Sequence, residues 1–265
     1  VDEFAEQDDQ SDFVTLIPWC PAVISFESID STNSELIRRC TGESPGPWTV
    51  VIASEQIAGR GRLDRNWKSE PGSGLWCSVL VDLSGCHAPT WLSLVVGLAV
   101  FDACTELGAS VELKWPNDIT SGGVKLGGIL IESAGVPDQW VVGIGINVTT
   151  AHFPNSVALA ELCAKAPTVQ NVLIEVVKSL YSRLESWRDA NWGTADQSAQ
   201  YQSVCSSIGT TLRVTRPNER SFIAEGVGLD ESGHLVIVRA GLKSEIVVAA
   251  DVVHATIESC IPKNF

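Results

Sequence analysis

The chain has 265 residues, enough for one large domain or a large domain with a small appendage. Lys and Arg number 18 against 32 Asp and Glu, a net charge of −14, and apolar residues make up 45%. These values exclude a globally disordered chain and argue against a surface built for DNA, RNA or anionic membranes. The most apolar stretch, residues 92–103, is broken by Ser93, Gly97 and Asp102. It falls short of the roughly 20 residues a bilayer needs, and no basic segment followed by an apolar block opens the chain. The eight cysteines form no CxxC and do not cluster with the four His. That pattern reads as free thiols in a reducing, cytoplasmic setting, with no metal site.

In chain order, residues 1–12 carry six acids and no base, which reads as a solvated tail extending over 1–20. Residues 24–29 read as a strand, and Asp30-Ser31-Thr32-Asn33 supplies capping residues for a helix through Cys40. A loop at 42–47 leads to a β-branched strand at 48–56. Residues 59–74 have neither period and read as a long functional loop. Strand 75–81 is followed by an all-round apolar, buried helix at 91–107. Three further strands are expected at 111–115, 124–133 and 140–148, with turns at 120–123 and 135–138. Hairpin-length links predict an α+β domain over 21–207, a mixed and largely antiparallel sheet with helices on one side. Leu173, Val177, Leu180, Leu184 and Trp187 mark an amphipathic helix over 172–187. A second helix is expected at 195–206. Short β-rich runs then follow at 212–215, 222–229, 235–238, 245–249 and 252–257, with turns at 218–219 and 230–233. Residues 208–265 therefore read as a small barrel, too small to be an independent enzyme.

Four segments carry chemistry. Gly59-Arg60-Gly61-Arg62-Leu63-Asp64-Arg65-Asn66-Trp67 begins as GxG, but Asp64 stands where a dinucleotide fingerprint needs its third glycine, and no GxxxxGK[ST] loop exists elsewhere. Arg60, Arg62, Arg65 and Lys68 against one acid give residues 59–68 a local charge of +3. Such a cluster is either a solvated surface loop or a site for carboxylate and phosphate, with Trp67 as a flat face for a ring. Like charges this close need a counter-charge. Lys114-Trp115-Pro116-Asn117-Asp118 places a lysine at a strand end, either an exposed alternate residue or a held cation; Asn117 and Asp118 also suit a turn. In Lys125-Leu126-Gly127-Gly128 and Gly143-Ile144-Gly145-Ile146-Asn147, alternation strips one strand face of side chains, so a helix or a flat ligand must pack on bare backbone. No nucleophile–base set stands out, since there is no GxSxG and the four His are scattered. Catalysis by positioning and charge neutralisation fits better than covalent catalysis.

Taken together in their order, Asp30-Ser31-Thr32-Asn33, Gln56 with GRGRLDRNW, KWPNDI, KLGGILIES and GIGINV resemble the biotin protein ligases. The motifs cover residues 24–148, and the layout continues to 257. The resemblance implies a catalytic domain like that of class II aminoacyl-tRNA synthetases and a C-terminal SH3-like β-barrel. It implies attack of biotin on the α-phosphate of ATP, giving biotinyl-5′-AMP, then transfer to a lysine of a biotin carboxyl carrier protein. Mg²⁺ is expected with ATP. Carried over by motif, Ser31, Thr32, Asn33 and Gln56 fix the ureido end of biotin. Gly59, Arg60, Gly61, Arg62 and Lys114 hold its carboxyl region and the phosphate, with Lys114, Arg60 and Arg62 as the catalytic cations. Arg62, Arg65, Trp67, Lys114, Asn117 and Asn147 serve ATP. Gly127, Gly128, Gly143 and Gly145 border the ring pocket. The 59–74 loop would fold over the anhydride to exclude water. Asp64 departs from the glycine common at its position. Only 23 residues precede Ile24, so the resemblance points to the ligase-only type without an N-terminal DNA-binding domain, with no DNA or membrane partner; a homodimer is left open. The related lipoate ligase and octanoyl transferase group, and a biotin-sensing repressor, are the competing readings.

Overall fold

The computed structural model describes residues 6–7, 17–62, 65–151, 153–216, 220–248 and 251–254. Its elements begin with β1 (Glu6–Gln7), β2 (Val23–Ile29), α1 (Thr32–Gly42), β3 (Val50–Gln56) and β4 (Gly74–Asp82). A 3₁₀ turn at Pro89–Trp91 enters α2 (Leu92–Glu106), followed by β5 (Glu112–Lys114), β6 (Asp118–Ser121), β7 (Val124–Ser133) and β8 (Gln139–Asn147). Then come α3 (Leu159–Leu162), α4 (Val169–Asp189) and α5 (Ala195–Val204). The chain closes with β9 (Thr210–Thr215), β10 (Phe222–Leu229), β11 (Leu235–Val238), β12 (Ser244–Val247) and β13 (Asp251–His254).

The main sheet runs β1-β2-β3-β4-β8-β7-β6-β5. Only β2 and β3 pair in parallel, joined by the crossover helix α1, and every other neighbour is antiparallel. The sheet is thus mixed and largely antiparallel, as the sequence predicts. The helices, however, do not all lie on one side. Val50, Cys77, Val79, Val142, Ile144 and Ile146 pack with α2 and α4, whereas Val51, Ala53, Leu80 and Val141 pack with Leu36 and Cys40 of α1. The reason is visible in β4, whose residues from Gly74 to Val81 are all buried. A strand without a polar face needs cover on both sides.

Two other expectations change. Residues 120–123 are not all turn: Asp118–Ser121 forms a strand, and the turn contracts to Gly122 and Gly123 at φ +56° and +78°. Ser121 pairs directly with Val124, and a two-residue hairpin needs that left-handed backbone. Within the segment read as an acidic tail, Glu6–Gln7 adds an edge strand to β2. The rest of that segment to residue 16 lies outside the described residues, as do Leu63, Asp64, His152, the 218–219 turn and residues 249–250 and 255–265.

The C-terminal region is a five-stranded antiparallel sheet, β12-β11-β10-β9-β13. Its outer strands do not pair with each other among the described residues, so the expected barrel is seen as an open sheet. It shares the main core through Leu212, Val214, Ala224, Leu235 and Ile237. Its 230–234 turn docks against the larger N-terminal part, where Trp91 Nε1 donates to Glu231 O at 2.8 Å and Trp115 Nε1 to Gly233 O at 3.1 Å. No helix among the described residues is long and apolar enough to cross a membrane, and their seven cysteines are free thiols.

Candidate active site

Helix α1 covers only part of its face of the sheet. Beyond its N-terminus the glycine-bearing ends of β7 and β8 stay uncovered by helix, and a cavity of about 510 Å³ opens there. Its walls are the start of α1, residues 60–62 and 65–67, the β5–β6 corner and residues 153–156.

One end is a polar corner. The Thr32 backbone N–H and hydroxyl both donate to Gln56 Oε1, at 2.9 and 3.1 Å, and Gln56 Nε2 donates to Ser69 Oγ at 2.9 Å. Buried Ser78 Oγ lies 2.8 Å from Thr32 Oγ1 and 2.5 Å from Asn33 Oδ1. Asn33 Nδ2 donates to Glu132 Oε2 at 2.7 Å. Ser31, Thr32 and Asn33 are buried because the helix starts where the chain leaves β2, beneath the sheet surface. These fixed amide and hydroxyl groups suit a neutral, planar polar ligand group.

The other end is cationic. Residues 59–62 and 65–69 run as the two limbs of a hairpin. Trp67 N donates to Gly59 O at 2.8 Å, Gly61 N to Arg65 O at 2.7 Å, and Arg60 bridges Asn66. Arg60 pairs with Glu132 at 2.9 Å. Burial, opposed by the Asp118 carboxylate and reinforced by Arg65, pulls the Arg62 guanidinium below its ordinary pKa. Opposite the hairpin, Asp118 lies between two ammonium groups, 2.6 Å from Lys125 Nζ and 3.6 Å from Lys114 Nζ. The arginine cluster therefore has the counter-charges it needs, Glu132 and Asp118.

Of the residues singled out from sequence, Ser31, Thr32, Asn33, Gln56, Arg60, Gly61, Arg62, Arg65, Trp67, Lys114, Asn117, Gly128, Gly143, Gly145 and Asn147 all line the cavity. Gly59 and Gly127 do not, and each is required by backbone packing instead. A Cβ on Gly59 would fall 2.5 Å from Trp67 O, and one on Gly127 would fall 2.6 Å from Gly145 O. The bare strand face is real, but the protein's own side chains fill part of it. Asn33 stands where a Gly143 Cβ would lie 2.4 Å from its Oδ1, and the Trp67 indole lies 2.9 Å from a Gly145 Cβ. Lys125 Nζ sits 5.1 Å from the Trp67 ring centroid, and Trp67 Nε1 is buried without a hydrogen-bond partner. The carboxamides of Asn117 and Asn147 tether backbone, donating to Ile129 O at 2.7 Å and Val157 O at 3.1 Å.

Lys125, Asp118, Glu132 and Ser78 were given no role in the site from sequence. Lys125 and Glu132 lay inside the KLGGILIES motif, and only the glycines there had a recognisable reason to be noticed. Among the described residues no group of three His, Cys, Asp or Glu could hold a metal ion. Asp118, the carboxylate that lines the cavity, is already ion-paired with Lys125 and Lys114, and Mg²⁺ would travel with the triphosphate.

The model of the biotin/lipoate A/B protein ligase family matches residues 25–147. A biotin–[acetyl-CoA-carboxylase] ligase of Mycobacterium tuberculosis is 35% identical over 84% of this chain and 85% of its own. The bifunctional ligase/repressor BirA of Escherichia coli is 40% identical over 81% of this chain and 68% of its own. Among solved structures, the biotin protein ligase of Aquifex aeolicus in complex with biotin and ATP superposes with a TM-score of 0.75 at 28% identity. That match covers 89% of this chain and all of the other.

Proposed function

This chain belongs to the biotin protein ligases, and from that premise we propose how its cleft carries out ATP-dependent activation of biotin and transfer to a carrier. The enzyme forms biotinyl-5′-AMP and passes the biotinyl group to a lysine of a carboxylase's biotin carrier. The observation that carries the residue assignment is one cavity with an amide-and-hydroxyl corner at one end and two facing cationic walls at the other.

In the first step a biotin carboxylate oxygen attacks the α-phosphorus of ATP. The bond to the bridging oxygen of the β-phosphate breaks, and pyrophosphate leaves with the electron pair. Both reactants are anions. Arg60 and Arg62 from the hairpin, with Lys114 and Lys125 from the sheet, neutralise them and stabilise charge on the phosphoryl oxygens. In the second step the neutral ε-amine of the carrier lysine attacks the acyl carbon. The acyl C–O bond to the phosphate breaks, AMP departs, and the amine loses its proton. The Thr32, Asn33, Gln56 and Ser78 network holds the ureido ring, and Trp67 offers its indole to the adenine. The hairpin keeps water from the anhydride between steps. We also assign the C-terminal sheet as the SH3-like module of this family and place the reaction in the cytoplasm.

Incubation with labelled biotin, ATP and an apo-carrier domain tests the reading. Label is expected on a carrier lysine, dependent on ATP, with lipoate failing to compete. Lipoate transfer at a comparable rate would instead make this a lipoate ligase.

A further inference from the structure

Glu132 is the residue at which three distant parts of the chain meet, and the reaction gives it no chemical step. It lies near the end of β7, its side chain about one-quarter exposed. A single carboxylate oxygen, Oε2, accepts from Asn33 Nδ2 of α1 at 2.7 Å and from an Arg60 terminal nitrogen of the hairpin at 2.9 Å. Asn33 is itself seated tightly: its Oδ1 lies 2.5 Å from Ser78 Oγ, and it occupies the space over Gly143. The carboxylate therefore ties the arginine hairpin to the buried polar corner of the cleft.

We propose that Glu132 is a positioning residue that latches the hairpin through Arg60 and so governs how long the enzyme retains biotinyl-5′-AMP; this rests on the ligase reading above. Three observations point the same way. Arg60 commits only one terminal nitrogen to Glu132, so the rest of its fork remains to meet a carboxylate or phosphate while the latch is closed. Arg60, Arg62 and Arg65 are crowded on one short hairpin, and Arg62 already feels Arg65. Without Glu132 their mutual repulsion would favour opening. Finally, Gln56 Nε2 of β3 holds the hairpin's descending limb through Ser69 Oγ. Arg60–Glu132 ties its ascending limb to β7.

Glu132→Gln is the informative change, because the amide oxygen can still accept from Asn33 while the charge that holds Arg60 is gone. Preformed, labelled biotinyl-5′-AMP on the enzyme is chased with excess unlabelled biotin and ATP, and its dissociation rate is measured. Single-turnover adenylate formation is followed in parallel. The dissociation rate is expected to rise about five- to tenfold, with a smaller fall in the rate of adenylate formation. In an Arg60→Gln background the same Glu132→Gln change should alter dissociation less than twofold, and Glu132→Asp should restore part of the retention. An unchanged dissociation rate in Glu132→Gln, or an equal rise in the Arg60→Gln background, would overturn the latch. Failure of the unmodified enzyme to form any adenylate would overturn the ligase reading itself, a distinct result.

Discussion

Replacing Gly143 with Ala isolates the physical reason for the bare strand face. The new Cβ would lie 2.4 Å from Asn33 Oδ1, 2.9 Å from Cγ and 3.0 Å from Nδ2. No left-handed backbone is involved, so the cost comes only from contact. Asn33 is 3% exposed and held by Ser78, Glu132 and the Leu130 carbonyl. It cannot step aside without losing bonds. Overpacking costs about 1–3 kcal/mol, and one or two displaced hydrogen bonds add about 1 kcal/mol each. The sum is about 2–5 kcal/mol, which corresponds to a thermal midpoint roughly 10 °C lower for a chain of this size. Gly145→Ala is the matched control. Its Cβ would meet the Trp67 indole at 2.9 Å, but that ring belongs to the hairpin and can retreat at the cost of its Lys125 contact, about 1 kcal/mol. Thermal unfolding monitored by circular dichroism, together with biotin titration, distinguishes the two. Gly143→Ala should lose stability and biotin affinity together. Gly145→Ala should melt near the parent and weaken ATP more than biotin. A Gly143→Ala midpoint within 2 °C of the parent, or a larger loss in Gly145→Ala, would refute the packing argument.

Lys114→Ala should lower adenylate formation at least a hundredfold (about 2.7 kcal/mol or more) while the fold survives, since Asp118 keeps its 2.6 Å pairing with Lys125; near-normal pyrophosphate release by this variant would remove the role. Burial pushes the Cys20 thiol up to about 11 and the Cys77 and Cys104 thiols up to about 12. In the unfolded chain these thiols ionise first, so stability is constant below about pH 8.5 and falls as pH rises toward those folded values. Urea titrations at pH 8 and pH 10.5 should show that loss, and Cys77→Ala/Cys104→Ala should flatten it. Gly233→Ala should loosen the C-terminal sheet, because Gly233 has φ +79° and its Cβ would lie 2.8 Å from Leu94 Cδ1. Faster amide exchange across β9–β11 is the expected sign, and unchanged exchange would argue against tight docking of that turn.

Much of the cleft was legible because its motifs combine residue types that few structural roles need together. Arginines alternating with glycines ask for an anion and for counter-charges, and the structure shows the counter-charges, Glu132 and Asp118. Strand periodicity placed Gly143, Gly145 and Asn147 on one face, and all three line the cavity. What misled was context. Gly59 and Gly127 share the composition of ligand-facing glycines, yet backbone carbonyls from other segments crowd them. Lys125 and Glu132 look like ordinary alternate residues of a strand until β7 is laid beside β6 and α1.

Chain order, strand alternation and local charge were enough to determine an α+β region, a β-rich C-terminal part and most of the residues that line the cleft, because each is written in neighbouring residues. Which side each helix covers, which side chains occupy the glycine-floored surface, and which acid answers which base came only with the tertiary structure. Those depend on contacts such as Asn33 with Glu132 and Arg60 with Glu132. The partners stand 99 and 72 residues apart in the chain, and no local pattern encodes such a pairing.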